Sequence, residues 1–260
     1  MKKSKIEKCS LCLQEKELLK KSHIIPDFWY RNSGIYNKHH KIHKFEIQEY
    51  LNSRKISFVS SGEYENGILC KDCDNKIIGN LETYGRKVLY GGLSKSEYIV
   101  CNNYKNSIDG FEFSVCEGVN YHKFKLFLLS ILWRASISNR KTFREAKLDS
   151  ENNELIRKMI FTGDAGKINQ FPIVVMSYTR DTSVPLDLMI QPIKSSPEEC
   201  ELITFLICGF VFSFNITNDY KNMEKISNIT ICPDNKFTIM HFPSGETWKF
   251  IFEYLNINKR

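Results

Sequence analysis

Apolar residues set the framework of the C-terminal half. From Phe124 to Trp133 the chain is almost continuously apolar, with Lys125 and Arg134 at its flanks, and the pattern predicts a buried helix over His122 to Ser136. A second helix is predicted over Asn152 to Phe161, where Leu155, Ile156, Met159 and Ile160 recur at helical spacing and Thr162-Gly163 stops it. Strands are predicted at Phe171 to Thr179, Leu186 to Ile190, Leu202 to Asn215 in one or two pieces, Ile229 to Cys232 and Phe237 to Phe242, all rich in β-branched and aromatic residues. Pro233-Asp234-Asn235 predicts a hairpin turn between the last two, and Thr247 to Leu255 a closing helix. The two strongest apolar runs, Phe124 to Trp133 and Leu202 to Phe214 with its interrupting Gly209, fall well short of the ~20 residues that cross a bilayer. No membrane association is expected.

The N-terminal half reads differently. Tyr98 to Cys101 and Phe111 to Cys116 predict two short strands; behind Cys73, the residues Ile77, Leu81, Tyr84 and Val88 share one helix face until Gly91-Gly92 ends the run. The change of pattern predicts an α+β protein in two parts: residues 1–118, with a core at 9–92, and an α+β domain at 119–260.

Charge sharpens that division. Residues 1–90 hold 17 of the 37 Lys and Arg and 11 of the 30 Asp and Glu, so they carry +6 of the formal +7. A basic surface of this kind suits a polyanion, because phosphate neutralisation supplies most non-specific affinity for nucleic acid; a solvated lysine-rich face has the same composition. Nine cysteines would suggest disulfides in a secreted protein, but the residues after Met1 are lysine-rich and show no apolar leader. The expected compartment is therefore the reducing cytoplasm, where cysteine pairs are read first as metal ligands.

Two such pairs are present. Cys9-Ser10-Leu11-Cys12 and Cys70-Lys71-Asp72-Cys73 each place two thiolates where one tight turn can grip a single ion, and together they complete a tetrahedral zinc site. Cys101, Cys116, Cys200, Cys208 and Cys232 have no such spacing, stand in apolar surroundings and are expected in the core.

Between the pairs lies Lys21-Ser22-His23-Ile24-Ile25-Pro26. A first CxxC, a His-Ile-Ile-Pro segment and a Leu-Cys-x-x-Cys that opens a helix together resemble an HNH endonuclease of the four-cysteine type, over residues 9–90. The run from Leu69 to Tyr90 and the phrase Ile131-Leu-Trp-Arg-Ala-Ser136 are similar to a bacterial branch of that family, often encoded among mobile elements and antiphage defence genes. The resemblance implies a zinc-stapled treble-clef or ββα-metal unit in which zinc on Cys9, Cys12, Cys70 and Cys73 is structural. A second divalent cation, Mg²⁺ or Mn²⁺, serves the chemistry, and His23 is the general base. Asn66, or Glu65 beside it, takes the part of the residue that orients the base.

The sequence departs from that pattern in three places. Ser22 stands where an acidic metal ligand is common, and serine is a poor ligand for a hard cation. No histidine stands on the helix behind Cys73; Asp74, Asn75 and Glu82 stand there instead. The 57 residues between Cys12 and Cys70 imply an insertion at about 31–61. On a regular helix from Cys73, the residues Asn75, Gly79, Glu82 and Arg86 form a polar stripe. Glu82 is then the first candidate for the cation, Asp74 the second, and Arg86 a phosphate clamp. A solvated helix face would show the same stripe. His39, His40 and His43 lie in a polar stretch and are read as a basic loop rather than a metal cluster.

The resulting expectation is an enzyme that hydrolyses phosphodiesters, with DNA ahead of RNA as substrate and a C-terminal domain free to bind a partner protein. The rival is a non-catalytic zinc module that binds nucleic acid or a partner, favoured by Ser22 and the missing histidine. A thiol redox protein is a weaker third reading, because neither CxxC has the strand context of a thioredoxin site.

Overall fold

The computed structural model describes residues 6–32, 42–45, 52–53, 57–59, 62–93, 97–197, 200–217 and 220–254. Strands β1 (Ile6–Lys8) and β2 (Glu15–Glu17) form an antiparallel hairpin whose turn carries the first cysteine pair. Leu13, with φ 61°, closes that turn, and its N–H donates to the Cys9 carbonyl. Then follow β3 (Ser22–His23), helix α1 (Asp27–Asn32), β4 (Ile42–Phe45), β5 (Ser57–Val59) and β6 (Tyr64–Glu65). Strands β3 and β6 pair antiparallel, with His23 opposite Tyr64 and Ser22 opposite Glu65.

The second cysteine pair opens a helix, as the sequence predicts, but not a regular one. Cys73–Ile78 is a π-helical turn that passes into α2 (Gly79–Tyr90). The wider turn, bonded i to i+5, breaks the phase of the polar stripe. Asn75 is exposed, whereas Glu82 is half-buried and turned toward the protein.

Strands β7 (Val100–Lys105) and β8 (Glu112–Glu117) precede helix α3 (Tyr121–Ile137), helix α4 (Ser150–Thr162), β9 (Ile173–Ser177), β10 (Leu188–Ser195), β11 (Leu202–Ile207), β12 (Phe210–Asn215), β13 (Lys236–His241) and helix α5 (Glu246–Tyr254). Nine of the strands make one mixed sheet in the order β5-β4-β10-β11-β12-β9-β13-β8-β7, with β4–β10 and β9–β13 parallel and the other pairs antiparallel. Strands from both sides of residue 118 share this sheet. The strand predicted at Ile229 to Cys232 does not form. Strand β13 takes the edge of β9 instead, so Thr230 keeps a single bridge to Val174 and the hairpin with 237–242 is lost.

Alternation along the strands divides the core in two. Phe205, Phe212 and Phe214 face α3, α4 and the N-terminal cysteine module in one continuous cluster, whereas Leu206 and Val211 face the other way, onto Ile251 of α5. Helix α3 is buried on nearly all sides, which explains its unbroken apolar sequence. Its N-terminus is capped by Asn120, whose side chain accepts from the Lys123 N–H. Trp29 of α1 stacks near Phe127 of α3 and Phe212 of β12, at 5.7 and 5.8 Å between ring centroids. Gly85 lets α2 approach α3: a Cβ there would overlap the Phe127 ring. Gly85→Ala is therefore expected to destabilise by about 1–3 kcal/mol despite alanine's better helix propensity. Urea unfolding checks this, and an unchanged midpoint would refute the close approach.

Helix α5 is anchored through a buried acid. Asp181 accepts from the backbone N–H groups of Ser183, Gly245 and Thr247 and from the Ser183 hydroxyl. Burial pushes its carboxyl up, but the four hydrogen bonds outweigh it and hold the group well below the usual carboxylate range. A depressed folded value contributes stability that is present above the unfolded value, about 3.9, and is lost as pH falls below it. Asp181→Ala should accordingly be less stable than wild type at neutral pH, and the gap should narrow below about pH 4. Denaturant titrations at several pH values measure it; a gap that does not change with pH would contradict the assignment.

Three of the five cysteines expected in the core depart from that reading. Cys101 is exposed on β7 and forms a disulfide with Cys116 of β8, its register partner. The pairing register brings the two sulfurs together, and sequence spacing carries no signal of it. Cys116 and Cys208 are buried, whereas Cys200 and Cys232 are half-buried rather than in the core. Among the described residues, no helix is long and apolar enough to cross a membrane.

Candidate functional site

The four cysteines meet. The hairpin turn supplies Cys9 and Cys12, the start of the π-turn supplies Cys70 and Cys73, and all four sulfurs lie within 4.8 Å of one another. The bridge between Leu18 and Cys70 and the Ser10 N–H to Ile68 carbonyl bond hold the two turns together. The Cys70 N–H donates to Cys9 Sγ at 3.3 Å, a contact that supports a thiolate. Burial, then the neighbouring sulfurs, pushes the Cys73 thiol far above its ordinary value. Without a cation Cys73 therefore favours its neutral thiol, and ion binding must expel that proton. Four sulfurs so placed can hold a tetrahedral metal ion of the thiolate-loving class. The cluster is tied to the rest of the molecule by Arg157 of α4, which donates to the Leu11 carbonyl and pairs with Glu154 at 2.7 Å.

His23 leaves the short strand β3 with its side chain 36 % exposed. Its Nε2 lies 3.9 Å from Asp27 Oδ1 at the start of α1, and Asp27 is in turn paired with Arg31 at 2.5 Å. The preceding residue, Ser22, is fully buried; its hydroxyl has no well-formed hydrogen bond, and the Asp74 carboxylate is the polar group it interacts with. Alternation on a two-residue strand explains this contrast, since Ser22 and His23 point to opposite faces.

Arg134 joins these parts. It comes from α3, is 0 % exposed, donates to the His23 carbonyl through Nη1 and to the Ser130 carbonyl through Nε, and pairs with Glu82 Oε1 at 2.7 Å. Asp74 lies within electrostatic reach of the same guanidinium. Burial raises its carboxyl, and Arg134, the Ser22 hydroxyl and His23 oppose that rise. Arg134 thus holds the His23 backbone and Glu82 directly, with Asp74 within its electrostatic reach.

The other sequence candidates lie elsewhere. Asn66 is exposed in the turn after β6. Glu65 accepts from the Ser138 hydroxyl at 2.7 Å and from the Asn139 N–H at 2.9 Å, beyond the end of α3. Among the described residues no hydrogen bond or ion pair links Arg86 to His23; its guanidinium reaches toward Gly92. His43 lies on β4, in the nine-stranded sheet, with Nδ1 2.9 Å from Asp187 Oδ1, which replaces the basic-loop reading at that position. His39 and His40 fall outside the described residues, as does most of the expected insertion.

Sequence reasoning missed Asp27 and Arg134. Asp27 had a signal, four residues after His23 and directly behind Pro26 at a helix start. Arg134 had one as well: a charge within an otherwise apolar helix is buried only when it is paired. Compared with family models, curated proteins and solved structures, the chain matches none.

Proposed function

We propose that this chain is a metal-dependent, HNH-like endonuclease that hydrolyses nucleic-acid phosphodiesters, with structural zinc on Cys9, Cys12, Cys70 and Cys73. Support for a treble-clef zinc unit comes from one cysteine pair in a hairpin turn and the other at the start of a helix. A tetrahedral site with four Zn–S bonds of about 2.3 Å needs sulfurs roughly 3.8 Å apart, so a spread within 4.8 Å closes on zinc with small shifts. The observation that carries the enzymatic reading is half-exposed His23, its Nε2 3.9 Å from Asp27, with the Asp74 carboxylate within electrostatic reach of its imidazole.

In this reading the neutral His23 imidazole takes a proton from the attacking water, and Asp27, 3.9 Å from Nε2, stabilises the imidazolium that forms. Arg134 fixes the backbone from which His23 projects. A divalent cation bound at Asp74 would polarise the scissile phosphate and stabilise the leaving oxygen. Glu82 is already paired with Arg134, so Asp74 takes precedence over it as the cation's carboxylate. The same pair favours the second reading, a non-catalytic zinc module, because it removes one acid from service. The test is cleavage of plasmid, single-stranded DNA and RNA by zinc-loaded protein with Mg²⁺ or Mn²⁺. Cleavage abolished by His23→Ala supports the enzyme; no cleavage of any substrate by wild type supports the module.

A further inference from the structure

We propose that Lys21 and Arg140, seated against the ring of Tyr64, form a phosphate-binding surface along which a polynucleotide strand runs past His23; the inference rests on the nucleic-acid reading above and gives it a contact surface. Tyr64 is the register partner of His23 on the β3–β6 ribbon. Directly opposed residues of an antiparallel pair project from the same face, about 4.5–5.5 Å apart at Cβ. The Tyr64 ring therefore projects from the same face of the ribbon as the imidazole.

Two cations lie there. Lys21 Nζ is 4.8 Å from the Tyr64 ring centroid, and Arg140 Cζ is 5.6 Å from it. They come from opposite halves of the chain, Lys21 from the residue before β3 and Arg140 from beyond the end of α3. Arg140 is held in place: its Nη1 donates to the Tyr64 carbonyl at 2.9 Å, and its Nε pairs with Glu63 at 2.7 Å, yet its side chain stays 41 % exposed. Lys44 pairs with the same Glu63 at 2.9 Å, so that carboxylate is shared between two bases. Glu65, the neighbouring acid, is turned to Ser138 and Asn139. Among the described residues Lys21 has no carboxylate partner.

The arrangement suits an anion. Each cation–π contact at an exposed site contributes roughly 0.5–1 kcal/mol and orders a flexible side chain, but it does not neutralise the Lys21 charge. A phosphodiester does, and it releases counterions as it binds. Base stacking fits less well, because the ring already carries two cations. The basic character of residues 1–90 thereby resolves into a particular surface next to the candidate base.

The test is a fluorescence-anisotropy titration of labelled duplex and single-stranded oligonucleotides with the zinc-loaded full chain, at salt from about 50 to 250 mM. Lys21→Ala should lower the slope of log affinity against log salt by about 1, and Lys21→Ala with Arg140→Gln by about 2. Arg140 also neutralises buried Glu63, so the double variant is judged beside its thermal melt. Lys21 is exposed and, among the described residues, pairs with no acid, so Lys21→Ala is free of that complication. Lys249→Ala, on α5, should bind as wild type does apart from a small change common to any lost surface charge. A Lys21→Ala protein with wild-type slope and affinity overturns the proposal, even if wild type cleaves its substrate. Absence of binding at about 50 mM salt overturns it as well. Binding with the expected slopes and no cleavage leaves the phosphate surface standing and removes the enzyme.

Discussion

Substituting alanine for His23 is expected to slow cleavage by roughly 10²- to 10⁴-fold while zinc content and thermal midpoint stay close to wild type. The separation of effects follows from geometry. The side chain is 36 % exposed, and the backbone contact that matters to packing, from Arg134 to the His23 carbonyl, does not involve the imidazole. Truncation therefore removes the proton acceptor and leaves the strand pairing with Tyr64 intact. The measurement is a cleavage time course with Mg²⁺ or Mn²⁺ beside a melt of the same preparation. A His23→Ala protein that melts normally and cuts at the wild-type rate would falsify the role of His23 as base. A variant that loses activity only in proportion to its unfolded fraction would assign His23 to structure.

For Cys70→Ser we expect loss of bound zinc and unfolding of the N-terminal module. Structural zinc in thiolate sites contributes an apparent ~10–16 kcal/mol at neutral pH in small zinc domains, so losing the ion would cost as much as the whole stability of most domains. Cys70 is also woven into the frame: it is 1 % exposed, its N–H donates to Cys9 Sγ, and it bridges Leu18. The damage should travel, because Arg157 of α4 holds the Leu11 carbonyl and Trp29 packs on Phe127 and Phe212. Metal analysis, melting and amide exchange read the three effects. Wild-type protein purified reduced and without chelator that contains no zinc, or a Cys70→Ser protein with the wild-type midpoint, would remove zinc from the account.

Local pattern was enough for much of this molecule. The cysteine spacing announced the four-cysteine cluster, because each pair sits in one tight turn whose geometry depends on its own few residues. The apolar run of α3, the spacing of α4 and the paired strands β11 and β12 were legible for the same reason: burial on all sides, on one side, or on alternate positions leaves its own period. What tertiary structure decided was every relation between distant segments. Strand β13 pairs with β8 over six residues and with β9 over three, rather than with the neighbouring 229–232. The Cys101–Cys116 disulfide followed from that sheet's register. Arg134, 111 residues from His23, holds the His23 backbone and Glu82 because a guanidinium buried in α3 must find acceptors, and those of β3 and α2 are the ones that packing brings to it. A sequence reports what each residue requires of its surroundings; only the packed chain determines which distant residue supplies it.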